Sequence, residues 1–452
     1  MLKQSWNPVL NKIIELKKLT GWDNSQDVKE NLIKYLINQL YETHHPKAEE
    51  FMIWANCLII NQWNDYCLLR YKSFFEVLEI LETLEIVDNN YIKTDEDYWN
   101  YDNGIFRECR SLVVDLKHDE LVLTPYKKFF NMGQLPETSK EIIEDKIKNA
   151  KTIEFSNKLD GSMQQARYYN GQIIMSGSQA INPNLEFSWR LKDGYNMLLS
   201  DNSYINMIKN NPDYTFIFEY ISPKDKHIVI YTEEQEGLYL IGIRNSVTGK
   251  ELNYKEVLAI GNAYGVKMTT LIDTNLQKIY KTLDKVSASD AEGFVINIDD
   301  MRVKLKYDDY IKLHKFLASA LSKNKIIEYI QNDTLDDVAS KLPEIYRQEF
   351  FNKVRDIMML KKNIENNIKM IYDKLPHIDN RKEFFINLNN TNIHKCLKGQ
   401  VGRLYLNEPI DILSSRPFIK YKYLVELNEI SDNCLNELIE SIEEKKNEEI
   451  EL

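Results

Sequence analysis

Lys158-Leu159-Asp160-Gly161-Ser162 sits between two β-rich segments, and three further charged motifs follow it in a fixed order. A lysine followed by Asp-Gly supplies what covalent nucleotide transfer needs. The amine attacks phosphorus, and the glycine lets backbone amides approach phosphate oxygens. By itself the pattern decides nothing: K-x-D-G arises by chance in roughly one chain in ten of this length, and a turn joining two strands explains it equally. The surroundings decide.

Directly after the motif, Ala166-Arg167-Tyr168-Tyr169 and Gln172-Ile173-Ile174-Met175 flank Asn170-Gly171, the signature of a tight hairpin. Short runs of β-branched and aromatic residues predict further strands at 68–71, 111–115, 121–125, 214–220, 227–231, 238–243, 293–296 and 302–306. Residues 1 to about 60 read as helical. After Tyr310 the pattern is again helical, with Phe351, Val354, Ile357, Met358, Ile364, Ile368 and Ile371 assigned to one face. It weakens at Pro376, and Phe418-Ile419-Lys420-Tyr421 reads as strand-like. The expected fold class is α+β. An antiparallel-rich domain with an N-terminal helical segment covers 1–318, and a mostly helical domain covers 319–452.

At 452 residues and 43% hydrophobic the chain can bury a large core. It has no apolar run long enough to span a bilayer, and Met1 to Pro8 lack the features of a secretory signal, so a cytoplasmic location is expected. Cys57, Cys67, Cys109, Cys396 and Cys434 form no C-x-x-C pair, and His44-His45 reads as a solvated loop rather than a metal site. A net charge of −11 argues against nucleic-acid binding by overall charge but leaves room for a local basic groove. Much of the acid lies in Glu437 to Glu451, read as a solvated helix fraying into a tail.

Five charged features fall in order: Arg110 after Glu108-Cys109; Lys127-Lys128-Phe129-Phe130-Asn131; Lys158; Glu219 inside an apolar strand; and Glu292-Gly293 ahead of Lys304-Leu305-Lys306. Glu219 alone is explained by an exposed strand face. As a set, these residues resemble the RNA ligase 1 family of phage-type tRNA-repair ligases, within the ATP-dependent ligase and capping superfamily. The resemblance spans about residues 65 to 315 and includes Gly177-Ser178, Phe218-Glu219-Tyr220-Ile221-Ser222-Pro223, Leu240 to Asn245, Thr248-Gly249 and Glu292-Gly293-Phe294-Val295. It implies the nucleotidyltransferase fold, described as ATP-grasp-like.

The same resemblance implies roles. Lys158 becomes the nucleophile that forms lysyl-AMP from ATP, with Gly161 admitting the phosphate. Lys304 and Lys306 lower the nucleophile's pKa and stabilise charge on the α-phosphate. Glu219 accepts from the ribose, and Glu292 holds Mg²⁺ or Mn²⁺. Arg110 and Lys128 face the triphosphate or an RNA 5′-phosphate, with Phe130 and Tyr71 either in the same pocket or core aromatics. The implied activity is that of an ATP-dependent RNA ligase, EC type 6.5.1.3. It adenylates Lys158, passes AMP to an RNA 5′-phosphate and seals it to a 3′-hydroxyl, with nicked tRNA as one substrate. Lys312, Lys315, Lys323 and Lys325 offer phosphate contacts to RNA, though a solvated helix face explains them nearly as well. Two positions depart from the family pattern: Ser111 replaces a glycine, a change that a strand can absorb, and Ser176 replaces a phosphate-facing basic residue.

Two other readings remain. A DNA ligase or GTP-using capping enzyme shares the lysine motif but normally appends an OB-fold where this chain turns helical. A catalytically silent RNA-binding module is hinted at by Ser176 alone.

Overall fold

The computed structural model describes residues 5–83, 92–181, 188–413 and 420–450. It divides into two compact units, Met1–Ile311 and Lys312–Leu452. The cut falls inside helix Asp308–Ala320, ahead of the expected 318/319, because this helix opens on the first unit, where buried Tyr310 is hydrogen-bonded to Asp160.

Among the described residues of the first unit, twelve strands form three four-stranded sheets. They are β1 (Leu58–Trp63), β2 (Tyr66–Tyr71), β3 (Arg110–Asp115), β4 (Glu120–Leu123), β5 (Phe130–Asn131), β6 (Ile153–Lys158), β7 (Ser162–Tyr169), β8 (Gln172–Ser176), β9 (Tyr214–Ile221), β10 (Gly237–Asn245), β11 (Gly293–Ile298) and β12 (Met301–Lys306). The sheet orders are β1-β2-β3-β4, β10-β9-β7-β8 and β5-β12-β11-β6. Every pairing is antiparallel except β12 with β5. This is the α+β, antiparallel-rich architecture expected from the sequence.

Helices Pro8–Thr20, Leu32–Glu42 and Ala48–Asn56 cover the first sheet, burying Leu10, Ile13, Phe51 and Trp54 with Leu69 and Leu112. Strand β1 begins inside the stretch read as helical: Leu58-Ile59-Ile60 pairs with Leu69 to Tyr71. The second sheet buries Phe216, Phe218, Leu240 and Ile243 beneath helices Trp189–Ser200, Asn202–Lys209 and Tyr254–Tyr264. Removing one such aromatic side chain from water contributes about 1.5–3 kcal/mol.

Two motif blocks turn out to be braces. The Arg244 guanidinium, buried, grips the Glu108 carboxylate at 2.7 and 3.1 Å and also donates to the Pro125 carbonyl, tying β10 to the start of β3. The run 227–231 forms no strand, contrary to its β-branched composition. Its amides are taken elsewhere, Ile228 and Val229 donating to the Asp160 carboxylate and Ile230 to the Ser289 carbonyl.

The second unit is helical. Helix Glu344–Asp373 packs against helices Lys395–Tyr405 and Tyr421–Ile450. Its buried face is Tyr346, Phe350, Ile357, Ile364, Ile368 and Ile371, whereas Phe351 and Met358 point outward, contrary to the sequence assignment. Phe350, Ile357, Ile364 and Ile371 repeat every seven residues, and Phe351 and Met358 lie about 100° round from that row. Of the strand-like 418–421, positions 418 and 419 lie outside the described residues, and Tyr421 opens a helix.

Candidate active site

Sheet β5-β12-β11-β6 assembles the charged motifs. Gly293 pairs with Lys158 on one side and Lys306 on the other, and Val295 stands between Ser156 and Lys304. Alternation therefore raises Lys158, Lys304 and Lys306 from one face. Glu292, buried just ahead of β11, bridges two of them: Lys158 Nζ donates to Oε2 at 2.6 Å and Lys306 Nζ lies 2.8 Å from Oε1. Only glycine fits at 293. Its φ is +148°, and an added Cβ would collide with the Leu305 carbonyl oxygen and the Lys306 Cα.

The lysine loop closes on β9. A Cβ at Gly161 would run into the Tyr220 carbonyl oxygen and Ile221, while the Gly161 N–H donates to Glu219 Oε1 at 3.1 Å. Glu219 is set below the surface but faces the cavity. Burial raises its pKa, with Lys158 opposing and Glu292 adding to the rise.

The perturbed lysine is Lys304, pushed down to about 6 by burial and then by the charges of Arg110, Lys128, Lys158 and Lys306. Its Nζ stands 4.5 Å from the Phe129 ring centre, which the Arg110 guanidinium faces at 5.3 Å. Lys158 is an ion-pair partner of Glu292, so that pair must open before the amine can attack.

Arg110, Lys158, Glu219 and Lys304 line one cavity with Leu159, Met163, Ile217, Ile241, Val295 and Phe129. Its free volume is about 80 Å³, below the roughly 300–1,000 Å³ of an open ligand pocket, so a nucleotide enters only as side chains part. Beside it opens a groove of about 780 Å³ that shares Phe129, Asn297 and Arg302 and presents Lys127, Lys128, Lys151 and Lys250.

Lys306, Gly161 and Glu292 adjoin the cavity through their partners without lining it, whereas Lys128, Phe130 and Tyr71 form a separate cluster. The Lys128 ammonium is held over Tyr71, Trp99 and Phe130 at 5.1, 5.6 and 5.7 Å from the ring centres. Phe130 and Tyr71 are thus walls of a cage for Lys128, and Phe129 takes the cavity position assigned to Phe130. Adjacent residues of an extended segment point to opposite sides, a signal that favours only one of the two phenylalanines.

The two departures from the family pattern meet at Gln165. Its Nε2 donates to the Ser111 carbonyl at 2.6 Å and lies 3.0 Å from Ser176 Oγ. Ser176 is buried in this node. Ser111 occupies the extra position of a bulge, with φ +73°, a conformation that favours the glycine it replaces.

Sequence reasoning missed Asp160, Ser162, Asp225, His227 and Tyr310 as a connected group around the lysine loop. The D-G-S of the motif and the charged Asp225-Lys226-His227 turn were the available signals.

Residues 108–317 match the profile of the family described as RNA ligase. Over this stretch, which carries all of the charged motifs from Arg110 to Lys306, the chain is similar to that family. The sequence resembles a protein of Thermovibrio ammonificans, provisionally named an RNA ligase, at 25% identity over 59% of this chain and 68% of that one. It also resembles an Autographa californica nuclear polyhedrosis virus protein provisionally named a bifunctional polynucleotide kinase/RNA ligase, at 22% identity over 60% of this chain and 40% of that one. Among solved structures, the Naegleria gruberi RNA ligase with pyrophosphate aligns at 18% identity and TM-score 0.32, covering 39% of this chain and 55% of that one. A variant of that ligase with ATP and Mn aligns at 15% and 0.34, covering 42% and 58%. The chain thus spans less than two thirds of the viral and Naegleria chains it matches. Among its described residues, no helix is long and apolar enough to cross a membrane.

Proposed function

We propose that this chain is an ATP-dependent RNA ligase that joins an RNA 5′-phosphate to a 3′-hydroxyl through a lysyl-AMP intermediate on Lys158. The observation that carries the reading is the row Lys158–Gly293–Lys306, with Glu292 bridging both lysines beside Lys304 and Arg110. Four basic side chains and a buried carboxylate converge where an α-phosphate would receive an amine.

In the first step the Lys158 Nζ lone pair forms a bond to the α-phosphorus as the bond to pyrophosphate breaks. The amine must lose a proton first, to solvent as its 2.6 Å pair with Glu292 Oε2 opens. Lys304 and Arg110 oppose the charge that develops on the phosphate oxygens. The base rests among Leu159, Met163, Ile217, Ile241 and Val295, and Glu219 accepts from the ribose. AMP then passes to the RNA 5′-phosphate, and the 3′-hydroxyl displaces it to leave a phosphodiester.

The donor set fits a divalent cation that keeps waters and phosphate oxygens. Glu219 spends one oxygen on Gly161, and Glu292 is released as its lysine pairs open. When bound, such a cation would neutralise phosphate charge. RNA recognition by the helical unit is part of the same proposal, but Lys323 already bonds the Tyr421 hydroxyl and Lys325 pairs with Glu328, so those two are not free phosphate contacts.

The test is incubation with Mg²⁺ and α-labelled ATP or GTP, followed by end-joining assays on RNA and DNA. Denaturation-resistant label from ATP and sealing of RNA ends are expected. Label from GTP would move the chain to capping chemistry, and sealing of DNA alone would move it to DNA ligation.

A further inference from the structure

A charge network that the proposed chemistry leaves unused surrounds the lysine loop. Asp160, buried, accepts the Ile228 and Val229 amides on Oδ2, both at 3.0 Å, and the Tyr310 hydroxyl on Oδ1 at 2.9 Å. Its own N–H donates to the Tyr231 hydroxyl at 2.9 Å. Two residues on, the Ser162 hydroxyl donates to Asp225 Oδ2 at 2.6 Å, and Arg190 Nε donates to Asp225 Oδ1 at 2.6 Å. His227 stands between the two carboxylates, with Nε2 3.0 Å from Asp225 Oδ2 and Nδ1 3.6 Å from Asp160 Oδ1. Two buried carboxylates around one imidazole repel each other unless a cation separates them. Arg190 reaches Asp225 from outside, whereas among the described residues His227 is the cation seen to touch both.

We infer that His227, as an imidazolium clamped between Asp160 and Asp225, is a positioning residue that fixes Asp160-Gly161-Ser162 and thereby holds Lys158 in register with Lys304 and Lys306. The inference rests on the reading of Lys158 as the nucleophile. Each end of the loop is covered: Asp160 through one ring nitrogen, Ser162 through Asp225 and the other. Both ring nitrogens carry a proton toward the carboxylates only in the charged form of histidine. Burial pulls the His227 pKa down, and the bonds and charges of Asp160 and Asp225 overcome it, raising the group to about 9. Against burial, the same contacts hold Asp160 below the usual carboxylate range and Asp225 at about 2. Of the other groups facing the pair, Arg190 is a permanent cation and burial raises Tyr231. The charge of the clamp therefore changes when His227 loses its proton near pH 9.

The experiment is single-turnover formation of the covalent AMP adduct against pH, in wild type, His227→Gln and His227→Arg, with melting temperatures alongside. A small displacement of a reacting group costs up to about 10²-fold in rate, and a loss of roughly that size is expected in His227→Gln at pH 7. In His227→Arg, permanently charged, the rate should stay within about tenfold of wild type, and the fall in rate near pH 9 should disappear. A wild-type protein that forms no adduct overturns the nucleophile reading together with this inference. Adduct formation in wild type with His227→Gln within about twofold of it overturns the inference alone. So does an equal loss in both variants, or a fall near pH 9 that survives in His227→Arg. Should His227→Gln fail to fold, the Arg variant's pH profile decides.

Discussion

In the first unit Glu292, Asp160 and Asp225 are buried against lysines and a histidine, whereas in the second unit helix Glu344–Asp373 turns Phe351, Met358, Met359 and Met370 to solvent. The first unit places charge inside, whereas exposed apolar side chains occur in both, Phe75, Ile230 and Val247 among them in the first. Buried charge is expensive, and replacing it with apolar residues often stabilises a protein, so a row of paired lysines and carboxylates points to chemistry rather than to stability. Single exposed apolar residues are ordinary and carry no such meaning. The contrast locates chemical constraint in the pairings of β6, β11 and β12.

The largest effect expected from breaking that constraint is at Gly293. In Gly293→Ala the added methyl group meets backbone on β12 at a φ of +148°, and stability should fall by about 3 kcal/mol or more in a urea titration. A loss under about 1 kcal/mol would show that the β11–β12 crossing adapts and is not a fixed platform.

Next comes proton uptake at Lys304, whose folded pKa of about 6 leaves it mostly neutral at pH 7.5. A phosphate group brought beside it favours the charged form, so nucleotide binding should take up as much as ~1 proton per chain. Calorimetry in two buffers of different ionisation enthalpy, with Lys158→Ala blocking chemistry, measures it. The uptake should vanish in Lys304→Met, and an unchanged uptake there would assign the proton to another group.

A smaller gain is expected at Ser111, whose φ of +73° is costly for any residue with a Cβ. Ser111→Gly should stabilise by about 0.5–1 kcal/mol, read as a higher melting temperature. A clear loss would mean that the serine hydroxyl, 3.4 Å from the Ser178 carbonyl, matters more than its backbone strain. The smallest effect belongs to the second unit. Phe351→Gln and Met358→Gln should each shift stability by under about 0.5 kcal/mol and leave adduct formation untouched, and a larger shift would reveal a partner for that face.

Much of the first unit was legible because its signals are local. The K-L-D-G-S motif, the Asn170-Gly171 turn and the alternating strands need only nearest-neighbour chemistry, and the structure has β7 and β8 paired around that turn. What could not be read depends on contacts distant in sequence. The 227–231 run is β-branched, yet the Asp160 carboxylate, 68 residues away from Ile228, claims its amides. The buried Ser176 satisfies Gln165 rather than a phosphate, a partnership set by strand register. Phe129, just ahead of the two-residue strand Phe130–Asn131, and Phe130 within it are turned to different surroundings. On helix Glu344–Asp373 a shift of one residue, from Phe350 to Phe351, separates core from surface. The pairing of Lys158 with Glu292, 134 residues apart, had no sequence signature at all.

The central claim is that Lys158 carries the nucleotide, and the most direct measurement is mass spectrometry of the protein after incubation with ATP and Mg²⁺, with peptide mapping of any adduct. AMP on the peptide containing Lys158, absent from Lys158→Ala, is the result predicted. AMP on another residue, or an adduct of equal yield in Lys158→Ala, would contradict the assignment.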